Sequence, residues 1–184
     1  GRSVQGEMER VLERLAGGPA SAHAAGRTDA GVHAEALAVS FALPDRWDAA
    51  AARRALNALL PEDCWVSAVE PMQPHFHARK SALSRRYRYL VGTDPAAASP
   101  FRRHFEWALS RPLDGDALQA AADAIRGDHC FESFAVRGQP KPHYRCRVAH
   151  AEWRPRAGAR GVEFRIEADR FLHHMVRMLV GTMV

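Results

Sequence analysis

The sequence has few cysteines, no long uninterrupted apolar run and no low-complexity segment. Its cysteines, Cys64, Cys130 and Cys146, form no CxxC pair, which points away from a disulfide framework or a zinc knuckle and favours a reducing cytosol. The apolar run near the C-terminus is interrupted by histidine and arginine and is too short to cross a bilayer. We therefore expect a cytoplasmic protein without a membrane partner.

The composition is that of an ordinary folded protein. With 184 residues, 47% hydrophobic and 26% charged, the chain can bury one sizeable core or two small subdomains that share one. Its formal net charge of +5 favours an acidic partner, although many basic proteins bind none. The chain starts at Gly1 without methionine and stops at Val184 inside an apolar segment, so we expect further segments on both sides.

Four segments have the apolar spacing of amphipathic helices. Ser3, Asp48 and Asp114 stand where N-caps are needed, and Gly17 and Gly127 stand where helices stop. The spacing predicts helices over residues 3–18, 47–63, 113–128 and 171–184.

Alternating segments predict strands over residues 35–43, 64–70, 147–154 and 161–168, and at the end of 76–92. The pair 147–154 and 161–168 reads as a hairpin. These elements predict an α+β fold, with helices on one side of a largely antiparallel sheet whose other face is open to a partner. The Pro- and Ala-rich loop that begins at residue 93 separates an N-terminal subdomain, 1–93, from a C-terminal subdomain, 94–184.

The stretch AAGRTDAGVHA, residues 24–34, contains a lone carboxylate. Asp29, two residues before Gly31, fits a turn in which the side chain bonds its own backbone. The small neighbours also let another molecule approach closely, and Arg27 could pair with the carboxylate and favour its ionised form. An ionised, oriented aspartate is what covalent attack on a sugar or an electrophilic ring needs. Turn residue and nucleophile therefore both stay open.

Two basic stretches could hold an acidic partner. The first carries no acid and two tyrosines, and its basic residues are Arg79, Lys80, Arg85, Arg86 and Arg88. Arginines interleaved with aromatics suit phosphate contacts and base stacking, and they equally suit a strand edge protected by charge. Tyr87 could be a core residue or a platform for a base. The second stretch, residues 136–147, suits a phosphate clamp or a plain surface loop.

The segment FLHHMVRMLVG offers an arginine rather than a metal site. On a helix the adjacent His173 and His174 diverge by about 100°, so they would not share a metal. Arg177 interrupts an apolar face, and a buried arginine normally has a carboxylate partner, for which Asp29 is a candidate.

Three blocks in this order resemble the tRNA pseudouridine synthase A family: AGRTDAGVHA, FHARKSALSRRYRYLV and HHMVRMLVG. GRSVQ and CFESF fit as well, so the resemblance covers nearly the whole chain. It implies a pseudouridine synthase fold and isomerisation of uridine to pseudouridine in the tRNA anticodon stem-loop, without metal or cofactor. It also implies a homodimer whose tRNA contacts both subunits.

The resemblance also implies roles for individual residues. Asp29 falls on the essential nucleophile, Tyr87 on the tyrosine that stacks on the target uracil, Arg27 on an arginine linked to base flipping, and Arg177 on an arginine that pairs with the aspartate. The segments expected to contact tRNA contain Phe76, His77, Ala78, Arg79, Lys80, Arg85, Arg86, Arg88, Arg137 and Lys141. The loop with Arg137 and Lys141 is shorter than in the family.

Two rival hypotheses belong to other classes. The first is a non-catalytic RNA-binding module in which Asp29 only shapes a turn. The second is a metal-independent glycosidase or nucleosidase that acts on small molecules; it would not need the two basic stretches, and a glycosidase that works with paired carboxylates would need a second acid near Asp29.

Overall fold

The computed structural model describes residues 2–136, 143–158 and 160–184. It forms two compact units, Gly1–Ala82 and Leu83–Val184. Both contain helices and strands, so the predicted α+β class is confirmed. The division lies before strand β3 (Arg85–Gly92), whereas the subdomain boundary predicted from the sequence lies after residue 93. In the described part of the chain, no helix is long and apolar enough to span a membrane.

In the first unit, two capped helices pack around a small core. Helix α1 (Val4–Ala16) begins where the Ser3 side chain accepts a hydrogen bond from the Gly6 amide, and it ends at Gly17 with φ +78°. Helix α2 (Ala49–Leu59) begins where Asp48 accepts from the Ala51 amide. Both predicted helices and their N-caps are therefore confirmed, and the core is formed by Val11, Leu12, Leu15, Ala22 and Leu56.

The strand predictions for the first unit were too long. Only Val39–Ser40 (β2) of the segment 35–43 forms a strand, and it pairs with His23–Ala24 (β1). Residues 64–70 form no strand in the structure. Val66 instead forms two hydrogen bonds with the side-chain amide of Asn57, at 2.8 and 2.9 Å. Val39, Phe41 and Leu43 pack against the core as their alternation predicts, but a strand also needs a partner backbone for its ladder.

The second unit is built on a five-stranded sheet. Besides β3, its strands are β4 (Trp107–Ala108), β5 (Gly127–Cys130), β6 (Arg145–Pro155) and β7 (Gly161–Ala168). Their order across the sheet is β4-β3-β7-β6-β5. All neighbours are antiparallel except β3 and β4, which are parallel. The predicted hairpin is β6–β7 and is confirmed.

Helices α3 (Gly115–Ala124) and α4 (Met175–Met183) belong to the second unit, and α3 is capped by Asp114 as predicted. The core of this unit combines residues of both helices with one face of the sheet, including Leu118, Phe164, Ile166 and Leu179. Alternation along β3 places Tyr87, Tyr89 and Val91 against this core, as expected from the sequence.

The start of the last helix was predicted wrongly. Helix α4 begins at Met175 rather than at residue 171, because His174 has φ +62° and so lies in the left-handed region. This conformation is uncommon for a residue with a Cβ and ends the helical path towards the N-terminus. His173 and His174 therefore precede the helix.

Candidate active site and RNA-contacting surfaces

Asp29 lies in a loop that leaves and re-enters the small hairpin of β1 and β2. Just beyond the paired residues, the Ala25 amide donates to the Ala38 carbonyl at 2.9 Å, which closes the base of the loop. Inside the loop, the Val32 amide donates to the Asp29 carbonyl at 3.0 Å, and Gly31 has φ +80°. A bond from the first to the fourth residue with positive φ only at the third defines a type II turn.

The backbone conformation at position 31, rather than a lack of room for a side chain, requires glycine there. A Cβ built on Gly31 would meet no atom within 4 Å, whereas its φ is one that L side chains rarely adopt. The turn therefore fixes the backbone of Asp29, whose side chain is half-buried. Arg27 is exposed, and no ion pair of this arginine occurs among the described residues, so its expected pairing with Asp29 is not a feature of the structure.

The FHARK segment is attached to the same hairpin. The Ala78 amide donates to the Ser40 hydroxyl at 3.1 Å, and Ala78 is buried. The His77 ring stacks on the His23 ring, with centroids 4.7 Å apart and planes inclined by 18°. Both contacts join the segment to the hairpin that carries the Asp29 loop.

The chain then turns so that its basic residues are exposed. His77 Nδ1 accepts from the Arg79 amide at 3.2 Å, and the Ser81 amide donates to the His77 carbonyl at 2.8 Å. Arg79 and Lys80 are exposed, while Phe76 is half-buried. The first unit thus brings together Asp29 and the FHARK segment, two blocks that the sequence separates by more than forty positions.

Tyr87 projects from β3 and is half-buried at the edge of the second unit's core. Its ring meets Phe171 edge-to-face, with centroids 4.8 Å apart and planes inclined by 79°. Opposite it on β7 stands Ile166. The two readings of Tyr87 are therefore compatible, since one part of the ring packs in the core and another part reaches solvent.

Comparison with known proteins assigns the chain to a family. Residues 121–184 match the family model described as tRNA pseudouridine synthase. A tRNA pseudouridine synthase A from Polaromonas naphthalenivorans is 40% identical over 187 residues, which cover 100% of this chain and 70% of that protein. Proteins of the same name from Moorella thermoacetica and Variovorax paradoxus are 39% and 38% identical, cover 100% of this chain, and are themselves covered to 74% and 68%.

The chain belongs to the tRNA pseudouridine synthase A family. The resemblance drawn from the three sequence blocks is thereby confirmed at the level of the family. The match extends over both structural units, because the full length of the chain is covered.

In this family member, two arginines of β3 have acidic partners that the sequence pattern did not predict. Arg86 pairs with Glu167 at 2.6 Å, and Arg88 lies 3.8 Å from Glu163. Arg85 instead donates to the Asp169 carbonyl at 2.8 Å.

Glu163 and Glu167 lie at alternating positions of GVEFRIEA, so they share the sheet face opposite the core. The Ser84 hydroxyl and the Arg86 guanidinium both donate to Glu167 and hold the pKa of its carboxyl below the usual range. Strand β3 is basic in sequence, but in the sheet its arginines lie beside the glutamates of β7. Alternation in β7 was the signal for this pairing, once the two strands are placed side by side.

The C-terminal block of this synthase-family chain differs from its sequence-based description. Arg177 is exposed rather than buried, so the burial argument for a carboxylate partner does not apply. The rings of His173 and His174 lie with centroids 3.9 Å apart, because neither residue is helical. The argument that the two side chains diverge on a helix, and so cannot bind one metal ion, is therefore wrong. The absence of a metal site stays a prediction. Arg137 and Lys141 lie outside the described residues.

Proposed function

We propose that the protein is an isomerase that converts uridine to pseudouridine in tRNA. The main support is the similarity to tRNA pseudouridine synthases A over the whole of this chain. In addition, Asp29 lies in a turn whose conformation requires Gly31. The similarity supports the reaction, and the turn supports Asp29 as its working carboxylate, because a catalytic group must be held in one orientation.

The anticodon stem-loop is the proposed target, and each active-site residue has a proposed role. The target base leaves its stack at a cost of about a few kcal/mol, offset by stacking on Tyr87 and by phosphate contacts. Arg27, which is exposed beside the Asp29 turn, assists the flipping. Asp29 then acts on the bond between base and sugar. The role proposed for Arg177, which follows from the family resemblance alone, is to orient that carboxylate.

The reaction is balanced without a cofactor. The bond from the sugar carbon to the ring nitrogen breaks, the uracil turns in the pocket, and a new bond forms from the sugar carbon to a ring carbon. The proton on that carbon is released, and the freed nitrogen gains one. Nothing is oxidised or reduced, so the chemistry needs only a nucleophile, a proton acceptor and a site that retains the base. Asp29 and Tyr87 supply the first two.

The RNA is proposed to lie across the basic segments. In the first unit these residues are Phe76, His77, Ala78, Arg79 and Lys80, and the Ser40 and His23 contacts fix their backbone relative to the hairpin of the Asp29 loop. In the second unit Arg85, Arg86 and Arg88 flank Tyr87 on β3. Arg137 and Lys141 are proposed to complete the contacts.

The ion pairs of β3 shape this binding. Arg86 and Arg88 stay partly exposed beside Glu167 and Glu163, so a phosphate can approach them from solvent while the glutamates hold the guanidinium groups on the sheet. When a phosphate binds, each arginine either leaves its glutamate or contacts both groups, so the binding free energy gained per phosphate is smaller. The ion pairs in turn restrict phosphate contacts to RNA that reaches this face of the sheet.

We propose several finer features for this chain because it belongs to the family. These are the pseudouridine synthase fold with a shared sheet, a catalytic subdomain over 1–93 and a second over 94–184, a homodimer, and a cytoplasmic location. The mixed α and β composition of both units supports the fold class alone, since the described strands form two separate sheets, one in each unit.

The decisive experiment uses the full-length protein and a uridine-containing tRNA transcript, with pseudouridine as the readout. Wild type should form pseudouridine, and Asp29→Asn should form none above background because the amide lacks the nucleophilic charge. Asp45→Asn is the matched control, since Asp45 is an exposed carboxylate of the same unit outside the loop. It should keep wild-type activity.

Binding separates the synthase from a non-catalytic RNA-binding module. Asp29→Asn should retain tRNA affinity while losing the product. If wild type binds tRNA but makes no pseudouridine, the catalytic proposal is wrong and the binding module replaces it. An Asp29→Asn variant as fast as wild type would also refute Asp29 as the nucleophile.

A further inference from the structure

The second unit exposes a short aromatic segment that the proposed active site does not use. Phe101 is 87% exposed, Phe105 60% and Trp107 37%. Arg103 and His104 stand between them and are exposed as well. These five residues are referred to below as the aromatic ridge. Three large aromatics exposed within seven residues are unusual on a surface that contacts only water.

The ridge is held in shape by a buried ion-pair cluster directly behind it. The Glu106 side chain is 1% exposed and pairs with Arg102 at 2.5 Å and with Arg156. Arg102 also pairs with Asp94 at 3.0 Å. Burial lowers the pKa of the Arg156 guanidinium, the nearby charge of Arg102 lowers it further, and the charges of Glu163 and Asp94 oppose the shift.

The backbone adds to this rigidity. The Arg103 amide donates to the Ser99 carbonyl at 2.9 Å, and the Phe105 amide donates to the Arg102 carbonyl at 2.8 Å. Because Arg102 and Glu106 point inward, the residues around them are turned outward. The exposed aromatics are thus presented by a fixed segment rather than by a loose loop.

The ridge lies at the far end of the strand that carries Tyr87. Trp107 of β4 is in register with Val91 of β3, four residues beyond Tyr87. At about 3.3 Å per residue, this places Trp107, one end of the ridge, roughly 13 Å along the sheet from the tyrosine. A tRNA that presents one base to Tyr87 extends well beyond that distance on either side.

The charge around the ridge is positive. The backbone of Arg160 accepts a hydrogen bond from Arg102, and the Arg160 side chain is exposed. Arg102 and Arg156 are paired with the acids Asp94 and Glu106, and Glu163 also acts on Arg156 but is itself paired with Arg88 and Arg165. Arg103 and Arg160 are exposed. Exposed rings beside unneutralised arginines suit a polyanion with stackable bases.

We propose that the aromatic ridge is a second RNA-contacting surface, which binds the tRNA away from the target uridine. Loop or unstacked bases stack on Phe101 and Phe105, while Arg103 and Arg160 contact phosphates. This inference rests on the proposed function for its RNA, since it assumes that tRNA is the ligand. It adds a place where part of that RNA is held.

The test compares tRNA affinity of full-length variants at fixed salt. Replacing both rings, Phe101→Ala with Phe105→Ala, should weaken tRNA binding about tenfold or more, because base stacking on an aromatic side chain is sequence-tolerant and contributes at least this much. Trp65→Ala is the matched control. Trp65 is an aromatic residue that is 75% exposed but lies beside Glu62 and Asp63, and its replacement should leave affinity unchanged.

A charge variant tests the phosphate contact separately. Arg103→Gln should reduce the slope of log affinity against log salt by about one unit, as expected for one lost phosphate contact. An unchanged slope would remove Arg103 from the interface. Sedimentation of each variant shows whether its assembly state is altered.

Three results would overturn the ridge proposal. These are wild-type affinity in the double variant, an equal loss in Trp65→Ala, and a loss that appears only because the variant changes from dimer to monomer. The last result would assign the ridge to an interface between copies of the chain. Pseudouridine formation by the wild type tests the proposed function separately. If the wild type is active and the double variant keeps wild-type tRNA affinity, only the ridge proposal is refuted.

Discussion

Replacing Gly31 by alanine perturbs the turn that carries Asp29 without touching the carboxylate. Gly31 has φ +80°, and a Cβ at this position would meet nothing within 4 Å. The substitution therefore introduces no steric clash with the rest of the protein. Its whole cost arises from holding an L residue in the left-handed region.

That cost is about 1–2 kcal/mol for a residue with a Cβ. The protein can meet it in two ways. If the turn keeps its shape, the free energy of unfolding falls by this amount, and the Tm falls by roughly 2–4 °C per kcal/mol for a protein of this size. If the turn relaxes instead, the active orientation of Asp29 becomes a minor state, and the rate falls by about 5–30-fold.

The assay measures both quantities on the same preparation, namely the Tm by thermal unfolding and single-turnover pseudouridine formation with saturating tRNA. Gly31→Asn is the rescue variant, because asparagine tolerates positive φ better than alanine does. Gly18→Ala is the matched control. It too has open space around its Cβ position, but its φ is not positive, so neither Tm nor rate should fall.

The reasoning is refuted if Gly31→Ala matches wild type in both stability and rate. It is also refuted if Gly31→Asn is as impaired as Gly31→Ala, since the defect would then follow from any side chain rather than from backbone strain.

Two further predictions concern titratable groups. The pKa of Glu167 is held low by Ser84 and Arg86, so its ionised form stabilises the fold above its unfolded pKa, and this contribution is lost as the pH falls through the folded pKa. Chemical unfolding between about pH 5 and pH 3 should therefore show a smaller loss of stability in Glu167→Gln than in wild type, and parallel profiles would contradict it. Burial raises the pKa of Cys146 to about 11, so a maleimide at about pH 8 should label exposed Cys130 and spare Cys146 until the protein unfolds. Equal labelling rates in the folded protein would contradict this second prediction.

The elements with local signals were predictable from the sequence. The caps Ser3, Asp48 and Asp114 accept the hydrogen bonds expected of them, because capping involves residues only two or three positions apart. The hairpin β6–β7 was predictable for a similar reason, since its strands alternate and follow one another along the chain.

The elements that depend on a distant partner were not. Residues 64–70 are predicted as a short strand, yet the Asn57 side chain takes the hydrogen bonds that a neighbouring strand would form. The start of α4 failed because His174 adopts a left-handed conformation that its residue type does not require. The spacing of apolar residues does not predict a single left-handed backbone angle of this kind.

By itself, the sequence determined the α+β class, the capped helices, the face of β3 that carries Tyr87, and membership of the family. Only the tertiary structure decided how the charges are distributed. Arg86 and Glu167 are 81 positions apart in the chain and 2.6 Å apart in the sheet, and Arg102 and Glu106 point inward while the aromatics between and beside them point outward. A charge pattern along a chain says which groups are present, whereas strand register and burial decide which of them meet.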